Sequence, residues 1–288
     1  MAVLVDKNTK VIVQGITGTQ ASFHTPRALQ YGTKIVAGVV PNKKDNMHLG
    51  IPLFNTVKEA KQKTGATASM VFVPAQFAKA AILEAIDADL ELVVVITSGI
   101  PVSDMLEIRQ KLKNSKTILI GPNTPGVITP QEAYMGTYPD NIHKSGDIGI
   151  ISRSSTLTYE VVLEINKAGF GESTVVGLGD DLIIGTGYAE IIKKFNEDKK
   201  TKAIVLIGGS QGSHEVEAAI AYREMAKTKP VIALMIDKPL SFSENDSLAS
   251  EILCGGVTST TEKKQLLETS GITVVDNLTD LIHELSKL

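Results

Sequence analysis

The stretch Lys10–Leu29 reads KVIVQGITGTQASFHTPRAL. It opens as a short β-branched run, KVIVQ. Gly15 ends that strand, Gly18 opens a turn, and a helix follows from about Gln20. A continuously apolar strand that runs through a glycine turn into a helix begins a βαβ unit, with both faces of its parallel sheet covered. In such sheets ligands bind beyond the carboxyl ends of the strands, and the first βα turn is the usual phosphate cradle. The spacing here is Gly-x-x-Gly, short of the full dinucleotide pattern G-x-G-x-x-G. The same glycines also fit a tight turn that holds nothing.

The pattern repeats outward from this stretch. Further strands read as KIVAGVV, ASMVFVP, ELVVVIT and TILIG, and a helix with Ala, Ile and Leu at helical spacing runs from Gln76 to Ala88. Then comes GPNTPGVITPQEAY, dense in Pro, Gly and Asn, which reads as a domain junction ending near Lys144. A second series follows it: DIGIIS, STVVGLG, AIVLIGG, PVIALMI and ITVVD. The chain is therefore expected to be an α/β protein of two domains with right-handed crossovers. The expected boundaries are residues 1–125 for the first domain, 126–145 for a linker and 146–288 for the second. The two halves share an architecture but no evident repeat.

Composition narrows the function. Of the 288 residues 43% are hydrophobic and 21% charged, and the formal net charge of −3 leaves no basic surface for a polyanion. Tryptophan is absent and aromatics are scarce, so a base-stacking platform is not expected, and neither is nucleic-acid binding. The single cysteine, Cys254, cannot form an internal disulfide and has no activating neighbour. MAVLVDKNTK carries charge by position six and does not read as a signal peptide. Apolar runs such as LVVVI are of strand length, so no membrane association is expected, and the compartment is the cytosol or an organelle matrix. No two of the five histidines have metal-ligand spacing, and neither an HExxH, a C-x-x-C nor a G-x-S-x-G elbow occurs. No metal site is expected.

A second strand-to-helix turn lies in IISRSSTLTYE, Ile150–Glu160. There the hydroxyls of Ser152, Ser154, Ser155 and Thr156 surround Arg153. Small polar residues at a helix start hold anions, because unpaired N–H groups point at the ligand. In the first half VPNKKDN places Lys43 and Lys44 beyond the second strand, as either a solvated loop or a phosphate contact. ITSGIP and GPNTPG follow the fourth and fifth strands.

Taken together, DKNTKVIVQGITG, YGTKIVAGVVP, GIPLFNTVKEA, ILEAIDA, GPNTPGVITP and SRSSTLTYE resemble the α subunits of succinyl-CoA synthetases (succinate–CoA ligases, ADP- or GDP-forming) along essentially the whole chain. The resemblance implies a Rossmann-like CoA-binding domain and a flavodoxin-like, doubly wound ligase domain. It implies the reaction of succinate, CoA and a nucleoside triphosphate to succinyl-CoA, nucleoside diphosphate and phosphate. It places CoA phosphates on Thr17, Gly18, Thr19 and Gln20 and against Lys43, with Ile96, Thr97 and Ser98 along the CoA arm. Tyr159 lies at the acyl substrate. A β subunit, in a heterodimer or heterotetramer, brings ATP or GTP and Mg2+. A phosphorylated histidine of the second domain carries phosphate between the subunits, and the α-subunit turn Ser152–Thr156 helps to hold it.

The phosphate relay departs from that pattern. Anchored on Gly255 and Gly256, the family's histidine position falls on Leu248, and no histidine occurs between His214 and His283. Leucine has no lone pair to accept a phosphoryl group. The basic loop before it reads Glu244, Asn245, Asp246. The glutamate that orients the family's histidine is Gly209 here. The family's Gly-Gly-Asp-Pro loop reads GDDLIIG from Gly179, Ser155 replaces a glycine, Thr124 a cysteine, and Ser98 a glutamate. His214 starts the helix after GGSQGS and is read as a capping or solvent-facing side chain. Three functions remain in play: a divergent ligase subunit, a CoA-binding regulatory or scaffold protein, and an acyl-CoA transferase or ligase that uses no phosphohistidine.

Overall fold

The computed structural model describes residues 2–209, 213–226, 229–236 and 260–288. Leu248, Cys254 and the loop residues Glu244, Asn245 and Asp246 lie outside the described residues. The chain divides into two compact units. The first comprises residues 2–141 and 174–186, and the second comprises 142–173 and 187–288.

The first unit alternates strand and helix: β1 (Lys10–Gln14), α1 (Thr19–Tyr31), β2 (Lys34–Val39), β3 (Met47–His48), β4 (Ile51–Phe54), α2 (Val57–Thr64), β5 (Ala68–Val71), α3 (Ala75–Asp87), β6 (Leu92–Val95), α4 (Val102–Leu112) and β7 (Ile118–Ile120). They form a seven-stranded sheet in the order β3-β4-β2-β1-β5-β6-β7. All pairings are parallel except the short hairpin β3–β4. Ile12, Val71, Val93 and Leu119 from the strands pack with Ile82, Ile86, Met105 and Ile108 from the helices. This burial on both faces is why the strands read as unbroken apolar runs. Local chemistry sets the helix ends. Thr56 caps α2 by accepting from the Glu59 N–H at 3.1 Å, and Gly65, at φ 69, ends it in the left-handed conformation. The cap of α1 is Gly18, which has no side chain to offer.

Residues 126–136, expected as linker, instead form the antiparallel pair β8 (Gly126–Thr129) and β9 (Ala133–Gly136), and β8 also pairs antiparallel with β11 (Glu172–Gly177). Gly126 and Gly136 stand opposite each other at φ 109 and 146. A Cβ on Gly136 would run into the Pro125 carbonyl, and one on Gly126 into that of Met135. The glycines that suggest a loop are thus required by two backbones in close approach. Thr33 joins α1 to this hairpin. Its hydroxyl donates to the Tyr134 carbonyl at 2.8 Å and accepts from the Tyr134 N–H at 3.0 Å. Burial, the main cause, pushes the Tyr134 hydroxyl up to about 12.

The second unit contains β10 (Ser145–Ser152), α5 (Ser155–Lys167), α6 (Tyr188–Glu197), β12 (Ala203–Gly208), α7 (His214–Glu224), β13 (Val231–Met235), α8 (Thr260–Thr269), β14 (Thr273–Val275) and α9 (Leu278–Leu285). The strands β10, β12, β13 and β14 pair in that order, all parallel. Among the described residues no helix is long and apolar enough to cross a membrane.

Gly136→Ala is expected to cost about 3 kcal/mol or more, or to prevent folding, because both the positive φ and the clash oppose a methyl group. Urea unfolding monitored by circular dichroism measures this.

Candidate functional site

In the first unit β2 and β5 flank β1 on opposite sides, so the strand order reverses at β1 and opens a crevice at its carboxyl end. The turn there begins at Gly15, at φ 79, and is closed by the Gly18 N–H donating to the Gly15 carbonyl at 2.9 Å. Thr17, Gly18, Thr19 and Gln20 are all exposed. With no capping side chain, the first-turn N–H groups of α1 have no acceptor within the helix or its cap. Such a turn suits an anion.

Lys43 follows β2. Its ammonium group donates to the Asn46 side chain at 2.9 Å and its N–H to Asn55 at 3.4 Å. Ile96, Thr97 and Ser98 follow β6. The Ile96 N–H donates to the Val71 carbonyl at 3.1 Å and the Thr97 hydroxyl to that of Val73 at 2.6 Å, which leaves Ser98 exposed. Thr17–Gln20, Lys43 and Ile96–Ser98 thus follow the carboxyl ends of β1, β2 and β6 along one edge of the sheet. His24 lies further along α1 and stacks on Phe72, with centroids 6.2 Å apart. Burial, with Arg27 beside it, holds its pKa below the ordinary histidine value.

In the second unit the turn after β10 is braced by its own hydroxyls. Ser152 donates to the Ser154 carbonyl and accepts from the Ser154 N–H, both at 3.0 Å. The Ser154 hydroxyl caps α5 by accepting from the Leu157 N–H at 3.4 Å. Ser152 and Ser154 are therefore committed to shaping the turn. Tyr159 is half-buried, and burial raises its hydroxyl pKa. Ser152 of β10 is paired with Ile207 of β12, so Gly209, just beyond β12, lies on the same sheet edge as this turn.

A buried pair that the sequence did not disclose holds Gly209. Its N–H donates to Glu215 at 3.2 Å, and the Lys263 ammonium donates to its carbonyl at 3.3 Å. Lys263 and Glu215 meet at 3.4 Å with exposures of 0% and 1%, a burial that charge can tolerate only because they are paired. Among the described residues a Cβ on Gly209 would meet nothing within 4 Å. His214 opens α7, with Nδ1 3.8 Å from Glu217. His143 is buried against Glu172 at 3.2 Å, and Glu172 also accepts from Asn166 at 2.9 Å. Among the described residues no group of three His, Cys, Asp or Glu side chains could hold a metal ion.

Comparison with known proteins gives two family matches. Residues 6–99 match the CoA binding domain family and residues 151–283 the CoA-ligase family. The chain is 48% identical over 272 residues to the α subunit of the ADP-forming succinate–CoA ligase of Staphylococcus aureus strain N315, covering 94% of this chain and 90% of that protein. It is 46% identical over 281 residues to the corresponding subunit from Staphylococcus epidermidis strain ATCC 12228, covering 98% of this chain and 93% of that one. Among solved structures, ATP citrate lyase from Methanothrix soehngenii in complex with citrate and coenzyme A superposes with a TM-score of 0.82 at 21% identity, over 98% of this chain and 49% of the other. The dinucleotide-forming acetyl-coenzyme A synthetase 1 of Ca. Korarchaeum cryptofilum, in complex with phosphate and ADP, gives 0.74 at 18%, over 96% and 59%. At such identities these structures establish the fold.

Lys263→Met is expected to destabilise the chain by about 3–5 kcal/mol, since it strands the Glu215 carboxylate in the interior. The double variant Glu215→Leu/Lys263→Met is expected to recover most of that loss. Chemical denaturation of both variants tests this.

Proposed function

Because the chain belongs to the family of succinate–CoA ligase α subunits, with a CoA-binding domain followed by a CoA-ligase domain, we propose that it is an α-type subunit that holds CoA or an acyl-CoA but has lost the phosphohistidine relay. The observation that carries the CoA half is the exposed, uncapped turn Thr17–Gln20 with Lys43 beyond the neighbouring strand β2. Backbone N–H groups there take phosphate oxygens, and the Lys43 ammonium neutralises their charge. Ile96, Thr97 and Ser98 border the arm. Tyr159 serves the acyl substrate, and the N–H groups of Ser155 and Thr156 take an anion at the second turn. Mg2+ and ATP or GTP belong to a β-type partner in this reading, in a cytoplasmic heterodimer or heterotetramer.

The relay half rests on Leu248 and Gly209. Leu248 has no nucleophilic atom. Gly209 carries no carboxylate, and the Glu215 carboxylate that reaches its N–H is also held by Lys263. No phosphoryl group is therefore taken up on a histidine of this chain.

Two measurements test the two halves. Lys43→Ala is expected to weaken CoA binding by about 1–3 kcal/mol in titration calorimetry; unchanged affinity removes the proposed pocket. Mixed with a β-type subunit and γ-labelled ATP, the chain is expected to take no acid-labile label. Leu248→His alone is expected to remain unlabelled, because the new imidazole has no orienting carboxylate. Stoichiometric label on either protein would return it to the working ligases.

A further inference from the structure

The Ser22 hydroxyl lies 3.1 Å from the Ile16 carbonyl and 2.9 Å from Nε2 of His48. A hydroxyl has one hydrogen to give, and a carbonyl can only accept. The Ser22 hydrogen therefore goes to Ile16, and His48 Nε2 must carry a proton and donate it to the Ser22 oxygen. The Ser22 N–H donates to the Gly18 carbonyl at 2.8 Å. Ser22 thus spans the turn, held at Ile16 before it and at Gly18 within it, and His48 fastens to that brace from outside the helix.

His48 sits on a short, tightly defined hairpin. It pairs with Ile51 across Leu49 and Gly50, whose φ values of 53 and 76 are those of a two-residue turn with both central residues in the left-handed region. The same hairpin is closed by the Leu53 N–H donating to the Asn46 carbonyl at 2.9 Å, and the Asn46 side chain accepts from the Lys43 ammonium. A continuous path of hydrogen bonds and hairpin backbone runs from the turn Ile16–Gly18, through Ser22 and His48, to Asn46 and Lys43.

We propose that His48 is a positioning residue for the phosphate clamp: its Nε2–H bond to Ser22 sets the place of Lys43 relative to the N-terminal turn of α1, and so the affinity for the phosphates of CoA. This rests on the CoA reading of the turn and of Lys43. Imidazolium and the Nε2–H tautomer both donate from Nε2, so either form makes the clasp. Phenylalanine in its place fills the space without the donor, while glutamine can present an amide N–H at about the reach of Nε2.

The test is CoA titration calorimetry on the full chain in a cycle with Lys43→Ala. His48→Phe is expected to weaken CoA binding roughly three- to tenfold, the range for one hydrogen bond. His48→Gln is expected to restore most of the affinity. In the Lys43→Ala background, His48→Phe is expected to change affinity by less than about twofold, because the two residues act as one unit. Ser22→Ala removes the same bond together with the Ser22–Ile16 bond and is expected to weaken CoA binding at least as much as His48→Phe, which covers a failure of the larger substitution to fold. Equal losses in both backgrounds, or no loss with wild-type Lys43, would overturn the proposal while leaving the pocket in place. An unchanged affinity in Lys43→Ala itself would instead remove the pocket reading, and this inference with it.

Discussion

At the start of α1 a turn of backbone N–H groups has no side chain to accept from it, because the cap is Gly18. A helix cannot satisfy its first-turn donors by itself. At α2, α5 and α9 those donors meet the capping side chains of Thr56, Ser154 and Asn277, whereas α3, α4, α6 and α7, like α1, have no side-chain cap. What distinguishes the uncapped start of α1 is its place, where the strand order reverses around β1. The rest of the first unit maintains that condition. Gly15 turns the chain at positive φ, Ser22 braces the turn from behind, and the neighbouring strands carry Lys43 and Ile96–Ser98 to the same edge.

The second unit uses the same strand-turn-helix geometry with a different distribution of partners. At α5 the first hydroxyls are spent on the turn itself and on capping the helix. Just beyond the adjoining strand Gly209 is held by a buried lysine and glutamate, and among the described residues nothing lies within 4 Å of where its side chain would start. Desolvating two charges is costly, so this pair is better understood as fixing the loop conformation than as a source of net stability.

Much of this was legible in the sequence because it is local. Unbroken apolar runs such as KVIVQ and AIVLIGG report strands buried on both faces, and Gly15, Gly18 and Lys43 follow strand ends where an α/β sheet puts its ligands. The hairpin β8–β9 was not legible. Its Pro and Gly content has the composition of a loop, and only the opposed backbones of Gly126 and Gly136 explain why glycine is needed. The Ser22–His48 bond and the Lys263–Glu215 pair were missed for another reason. Their members lie 26 and 48 positions apart and meet only through tertiary folding. Ser22 has the look of an ordinary helix serine, and Lys263 that of a solvated one, until burial is known.

The chain crosses from the first unit to the second and back before it leaves for good: residues 174–186 rejoin residues 2–141 after an excursion through 142–173. On the ribosome this fixes an order of events. The sheet through β7 and the local β8–β9 hairpin can form as soon as they emerge, but β8 must wait for β11, its other antiparallel neighbour, to be translated. Until β11 has been made, the edge of β8 that it will cover has unpaired backbone groups, an exposure that invites wrong strand pairing during synthesis. The β10 strand and the α5 helix are translated within that interval. The two units are therefore not independent products of synthesis, one finished before the other begins.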